Sequence, residues 1–162
     1  MKRGALPGRV RAPFCTIGVS ATDTHVTGIR YLSPDVPALA PRKNTVAFLA
    51  CVQLQAYLED PAFVFELPLR LAGTRHQLSV WEAMQAIPAG KTRTYGELAR
   101  TIRSSARAVG GACGANPVPI VVPCHRVVAA GGALGGFMGT RAEGFELAIK
   151  RWLLAHEGAR GS

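Results

Sequence analysis

Residues 91–113 read KTRTYGELARTIRSSARAVGGAC. Thr94 can cap a helix with Glu97 three positions on, the pattern of a capping box, and that helix runs through Leu98 and Ala99 to about Ile102. The polar pair Arg103-Ser104 makes a turn, and a second helix runs from Ser105 to about Cys113. Five basic residues (Lys91, Arg93, Arg100, Arg103 and Arg107) stand here against one acid. Two short helices with a tight turn and that charge form a helix-turn-helix pattern. Alone, the pattern also fits a helix hairpin on a basic surface that binds nothing.

The flanks extend the helical reading. Upstream, Thr74 can cap a helix carrying Leu78, Trp81, Glu82 and Gln85, which Pro88-Ala89-Gly90 breaks. Downstream, Gly131-Gly132-Ala133-Leu134-Gly135-Gly136 is too rich in glycine for regular structure and reads as a tight loop. A last helix carries Phe145, Ala148, Ile149, Trp152 and Leu153 on one side and stops at Glu157-Gly158. Residues 71–162 are therefore expected to form a mainly helical domain.

Residues 1–70 have another character. Cys15, Ile17 and Val19 alternate over 13–32, a turn follows at Ala21-Thr22-Asp23, and Val26 and Ile29 lie on a return strand. Pro34, Pro37 and Pro41 link this hairpin to a helix over 44–59, with Asn44 as N-cap and Phe48, Leu49, Val52 and Ala56 at helical spacing. Asp60-Pro61 ends it, and residues 63–67 read as a third strand. The expected fold is α/β (α+β): a small antiparallel sheet with a helix, followed by the helical domain.

The chain has 162 residues, a 48% hydrophobic share and a net charge of +9. That apolar share is ample for a core, so disorder is not expected. Residues 71–162 hold +6 of the charge and residues 1–70 +3. Such a balance favours a polyanionic partner, although ordinary solubility charge is the plainer alternative. The N-terminus lacks the apolar core of a signal peptide, and no apolar run reaches a bilayer-spanning length. A soluble, cytoplasmic protein without a membrane partner is expected. Cys15, Cys51, Cys113 and Cys124 stand far apart with no C-x-x-C pair, so neither disulfides nor a metal site are expected; zinc held with His25 or His76 has little support in the spacing.

Pro123-Cys124-His125-Arg126-Val127-Val128 carries the chemistry. Only a thiolate is a strong nucleophile, and a neighbouring base or cation must generate it from a thiol of ordinary pKa, about 8.5. His125 can be that base if the chain bends after Pro123 or a water carries the proton. A carboxylate must then orient the imidazole, and Glu157 is the best candidate. A core cysteine beside a satisfied histidine would give the same pair.

Preceded by Asn116-Pro117-Val118-Pro119, this segment resembles the active-site signature of the O6-alkylguanine-DNA alkyltransferases, the methylated-DNA–protein-cysteine methyltransferases. The similarity continues through Tyr95-Gly96-Glu97-Leu98-Ala99, Ala106-Arg107-Ala108-Val109-Gly110-Gly111 and Trp152-Leu153-Leu154-Ala155-His156-Glu157-Gly158, and covers roughly residues 73–158 closely. The resemblance implies single-turnover transfer of an alkyl group from guanine O6, with O4-alkylthymine as a minor substrate, to Cys124 of a monomer that needs no cofactor. Its partner would be double-stranded DNA containing alkylated bases, the target base being flipped out of the stack. His125 would accept the thiol proton through water, Glu157 would polarise His125, and Asn116 would brace the turn. Tyr95 would press on the phosphate and donate a proton to the departing guanine, and Arg107 would fill the vacated stack. Ala106, Arg100, Arg103 and Arg126 complete the implied DNA-contacting set. Residues 131–139 would form the pocket loop, with Val127, Phe137, Met138, Gly139, Pro119 and Trp81 as pocket residues. The helical domain would be winged-helix-like.

The chain departs from that pattern at several places. The turn before Ala106 is short, with Arg103-Ser104-Ser105 in place of Gly-x-Pro. His76 stands at a usually aromatic position, Cys113-Gly114-Ala115 replaces a stretch that often carries a basic residue, and the loop over 140–146 is long. A module that binds alkylated bases without transfer, and a helix-turn-helix regulator, are the alternative readings.

Overall fold

The computed structural model describes residues 7–139 and 144–159, and the chain divides into two units, Met1–Leu71 and Ala72–Ser162. The first is built on a three-stranded antiparallel sheet of β1 (Gly8–Arg11), β2 (Thr16–Ala21) and β3 (Val26–Leu32) in that order. The expected hairpin is β2–β3, with Ile17 opposite Tyr31 and Val19 opposite Ile29. β1 was not foreseen: its short Gly-Arg-Val-Arg run reads as basic surface, and pairing with β2 is what orders it, Val10 opposite Ile17.

Helix α1 spans Val46–Glu59 and packs on this sheet. Its N-cap is Thr45, which accepts a hydrogen bond from the Phe48 N–H, while Asn44 lies just outside in a left-handed conformation. The core stripe is Ala47, Ala50, Cys51, Leu54 and Tyr57, not the expected Phe48, Leu49, Val52 and Ala56; Leu49 and Val52 are exposed. Apolar residues surround this helix, so periodicity alone could not choose the face. The third strand expected over 63–67 is also corrected. The Gln53 side-chain amide donates to Glu66 O (3.0 Å) and accepts from Glu66 N (2.9 Å), so the helix captures this backbone before a strand can. The chain meets β3 slightly later, at an isolated bridge between Val26 and Leu69.

In the second unit, α2 (Arg75–Gln85), α3 (Tyr95–Ile102), α4 (Ala106–Gly114) and α5 (Phe145–His156) hold the core. Thr74 and Gln77 form a full capping box on α2. Thr94 caps α3 through the Glu97 N–H, but the Glu97 carboxylate turns to Arg93 (3.8 Å) instead of completing a box. Ser105 caps α4 through the Ala108 N–H. Each such cap contributes about 1 kcal/mol and fixes where the chain enters its helix.

Two residues of β4 (Arg93–Thr94) pair in parallel with two of β5 (Val127–Val128). This small ladder sets the site. β4 runs directly into α3, and Cys124–Arg126, a single 3-10 turn, runs directly into β5, so the ladder ties the start of α3 to the segment that carries Cys124. The buried face of α5 is Leu147, Ile149, Lys150, Leu153 and Leu154; Phe145 and Ala148, expected inside, are exposed. Most of the long loop expected over 140–146 lies outside the described residues.

Candidate active site

Asn116 opens the segment that carries the cysteine. Its Oδ1 accepts from Val118 N (3.0 Å) and its Nδ2 donates to Val122 O (2.7 Å), so one buried side chain staples both ends of the Pro117–Val122 turn. Within that turn Ile120 is fully buried at φ 75°. A β-branched residue in the left-handed region is strained by about 1–2 kcal/mol, which the flanking prolines and the Asn116 staple must hold. The turn delivers Cys124 on the 3-10 corner Cys124–Arg126.

Cys124 is buried, with 3% of its surface exposed, and burial pushes its thiol up to about 11; the Asn116 side chain and then the Lys150 cation act against that. His125 is fully buried, and burial holds it below the ordinary histidine value despite the hydrogen bond that it donates to Glu157, so the ring is neutral at neutral pH. Its Nε2 lies 2.8 Å from Glu157 Oε2. A carboxylate only accepts, so Nε2 carries the proton and Nδ1 is left with its lone pair. Nδ1 is buried and makes no hydrogen bond among the described residues.

Arg126 forks onto the same carboxylate, Nε to Oε1 and Nη2 to Oε2 at 2.9 Å each, and its Nη1 donates to Ile87 O (2.6 Å). Expected to touch DNA, Arg126 instead turns inward because the buried Glu157 needs a cation. Expected pocket residues also move. Trp81 is core, its indole N–H donating to Ala112 O (2.8 Å) between α2 and α4. Val127 is buried in the β4–β5 ladder and Pro119 in the hinge; neither lines the cavity.

The cavity, about 1210 Å³ as bounded by the described residues, has Cys124 in its wall with Tyr95, Cys113, Phe137, Met138 and Gly139. Ala106 and Arg107 stand at its edge on α4 and are exposed, as are Arg100 and Arg103. Met138 Sδ lies 3.9 Å from Cys124 Sγ. Gly135 cannot carry a side chain: its φ is 73°, and a Cβ would stand 2.9 Å from the Tyr95 ring. The Tyr95 hydroxyl donates to Gly136 O at 3.3 Å.

Two departures from the expected pattern meet at the turn between α3 and α4. Arg103 takes the left-handed C-cap position (φ 56°), Ser104 N donates to Ala99 O (2.8 Å), and Ser104 Oγ lies 2.7 Å from His76 Nε2. The short turn is thereby pinned by α2. Sequence reasoning missed Lys150, fully buried on α5. Its one signal was position, since it falls on the apolar stripe of Leu147 and Leu154. Among the described residues no group of three or more His, Cys, Asp or Glu could hold a metal ion, and no helix is long and apolar enough to cross a membrane.

A strained hinge presenting a cysteine, a neutral histidine oriented by a paired carboxylate and a cavity lined by Cys124 and Arg107 are the parts that a buried cysteine nucleophile needs. The family model of the 6-O-methylguanine DNA methyltransferase DNA-binding domain matches residues 75–159. The methylated-DNA–protein-cysteine methyltransferase of Mycolicibacterium paratuberculosis is 49% identical over 135 residues, 80% of this chain and 82% of that one. A crystal structure of Mycobacterium tuberculosis OGT in complex with DNA superposes with a TM-score of 0.76 at 36% identity, covering 94% of this chain and 92% of its own. The O6-methylguanine-DNA methyltransferase of Pyrococcus kodakaraensis superposes at 0.55 with 26% identity, covering 89% and 92%. The chain belongs to the O6-methylguanine-DNA methyltransferase family.

Proposed function

We propose that this protein repairs O6-alkylguanine in DNA by transferring the alkyl group directly and irreversibly to Cys124. The observation that carries this reading is the neutral, buried His125: fixed by Glu157 at Nε2, it keeps Nδ1 as a base one residue along the chain from a thiol that burial holds protonated.

In the reaction a water passes the Cys124 proton to His125 Nδ1, and the Glu157–Arg126 pair steadies the imidazolium that forms. The thiolate attacks the alkyl carbon, the S–C bond forms as the C–O6 bond breaks, and the bonding electrons remain on the guanine. Tyr95 supplies the proton that leaves neutral guanine, and the proton taken up by His125 returns through solvent to the tyrosine, so none is gained or lost overall. The thioether is stable, so each molecule acts once. No cofactor enters the electron count.

The target base must leave the duplex stack to reach a buried sulfur. Arg107, exposed on α4 and lining the cavity, would occupy the vacated stack, while Arg100 on α3, Arg103 in the turn and Ala106 on α4, all exposed, would contact the DNA. Residues 135–139 read the guanine edge through backbone groups. In this reading the Ala72–Ser162 unit is the DNA-binding and alkyl-transfer domain, with α3 and α4 as its helix-turn-helix, and the protein acts as a cytoplasmic monomer.

Stoichiometry tests the proposal. A duplex in which O6-methylguanine blocks a restriction site should become cleavable in proportion to protein added, one site per molecule, with no further repair on longer incubation. Repair of many sites per molecule, or none by folded protein, contradicts it.

A further inference from the structure

Helix α4 serves the site in two ways. Arg107 stands in its first turn, and Ala106, Arg107, Gly110, Gly111 and Cys113 along it line the cavity. The direction of its axis therefore decides where Arg107 stands and how the cavity is walled. What fixes that axis is α2, which packs on both α3 and α4. The buried Trp81 of α2 donates its indole N–H to Ala112 O, near the far end of α4 (2.8 Å). His76, in the first turn of α2, lies 2.7 Å through Nε2 from Ser104 Oγ, in the turn that leads into α4. Two anchors, one at each end, set the direction of the helix.

The bond to Ser104 is not needed to form the helices it joins. α3 is closed by the Arg103 and Ser104 N–H groups, which both donate to Ala99 O, and α4 is capped by Ser105, whose hydroxyl accepts from Ala108 N. The Ser104 hydroxyl enters neither cap. His76 and Ser104 are each half-buried, so water can satisfy both groups and the bond adds little to folding. Its consequence is geometric. It ties Ser104, held between the left-handed Arg103 and the Ser105 cap, to a fixed point on α2. Without that tie, a turn that strains a non-glycine residue is free to relax about the remaining Trp81 anchor.

We infer that His76 is a positioning residue for DNA engagement: with Ser104 it sets the direction of α4 and thereby the approach of Arg107 to the duplex. This rests on α3 and α4 being the DNA-binding pair. No proton is transferred in this role, and the bond forms whichever partner donates.

The test separates binding from chemistry. Single-turnover methyl transfer from a duplex containing O6-methylguanine is followed against protein concentration, which gives the half-saturating concentration and the limiting rate separately. His76→Phe keeps a flat ring without its nitrogens, and Ser104→Ala removes the hydroxyl alone. Each should raise the half-saturating concentration about threefold to tenfold, the range set by one neutral hydrogen bond, with the limiting rate within about twofold of wild type. The double variant should bind no more weakly than the weaker single variant, because both changes remove the same bond. Folded variants that keep the wild-type half-saturating concentration, losses that multiply in the double variant, or a loss confined to the limiting rate overturn the inference. Ser104→Ala, at a half-buried turn position, decides alone if His76→Phe does not fold. Wild-type protein that transfers no methyl group contradicts the functional reading instead, so the two failures are distinguishable.

Discussion

Glu157 holds two obligations at once, the Nε2 proton of His125 and the fork of Arg126. Replacing it with glutamine keeps the volume but presents an N–H donor where an acceptor is needed, freeing the histidine to adopt the wrong tautomer. Glu157→Gln should slow single-turnover methyl transfer on the order of 100-fold, the lower end of what a positioned base contributes. It should also lower stability by about 3 kcal/mol, since Arg126, with only 11% of its side chain exposed, loses its partner. Quench-flow transfer rates and urea titration measure the two effects, and an unchanged rate would remove Glu157 from the mechanism. The His125–Glu157 pairing was legible in the sequence because a histidine beside a thiol calls for a carboxylate to orient it. The orientation of Arg126 was not, because it depends on a carboxylate 31 positions away. Lys150 was hidden for the opposite reason: a lysine on a helix reads as surface until its neighbours' carbonyls are known.

At the scale of elements, the caps at Thr74 and Thr94 were readable because capping is local chemistry among four consecutive residues. The failures were the elements that only distant pairing decides. β1 exists through β2, and residues 63–67 were claimed by Gln53 of α1. The face of α1 was ambiguous because Leu49 and Val52 are as apolar as the residues actually buried. The turn between α3 and α4 gives a direct test. Arg103 holds a left-handed conformation that glycine adopts without cost, yet its guanidinium is exposed on the proposed DNA face. Arg103→Gly should therefore raise folding stability by up to about 1 kcal/mol. It should also weaken DNA binding and reduce the slope of log affinity against log salt by about one. Chemical denaturation and binding across a salt series report these opposite changes; loss of stability with DNA binding unchanged contradicts this placement of Arg103.

For the whole molecule, the two units carry their ionisable burdens differently, and alkaline pH exposes the sum. Burial raises the thiols of Cys15 and Cys113 to about 12 and those of Cys51 and Cys124 to about 11, from an ordinary 9.0. Their contribution to stability is complete below pH 9 and is lost as pH rises through the folded values, because the unfolded chain gives up those protons first. Lys150, lowered from 10.5 to about 8, acts with opposite sign between those two values, one group against four. The urea midpoint should fall between pH 9 and 11, and Cys15→Ser with Cys51→Ser should flatten the fall; a midpoint that rises over that interval contradicts this burial pattern.

The central claim is that one sulfur takes one alkyl group. Intact-mass and peptide spectra of the full chain, recorded after incubation with a duplex containing O6-methylguanine, test it most directly. A gain of one methyl group is expected, confined to the Cys124 peptide and absent from Cys124→Ser. Folded wild-type protein that gains no mass, or gains it at Cys15, Cys51 or Cys113, contradicts it.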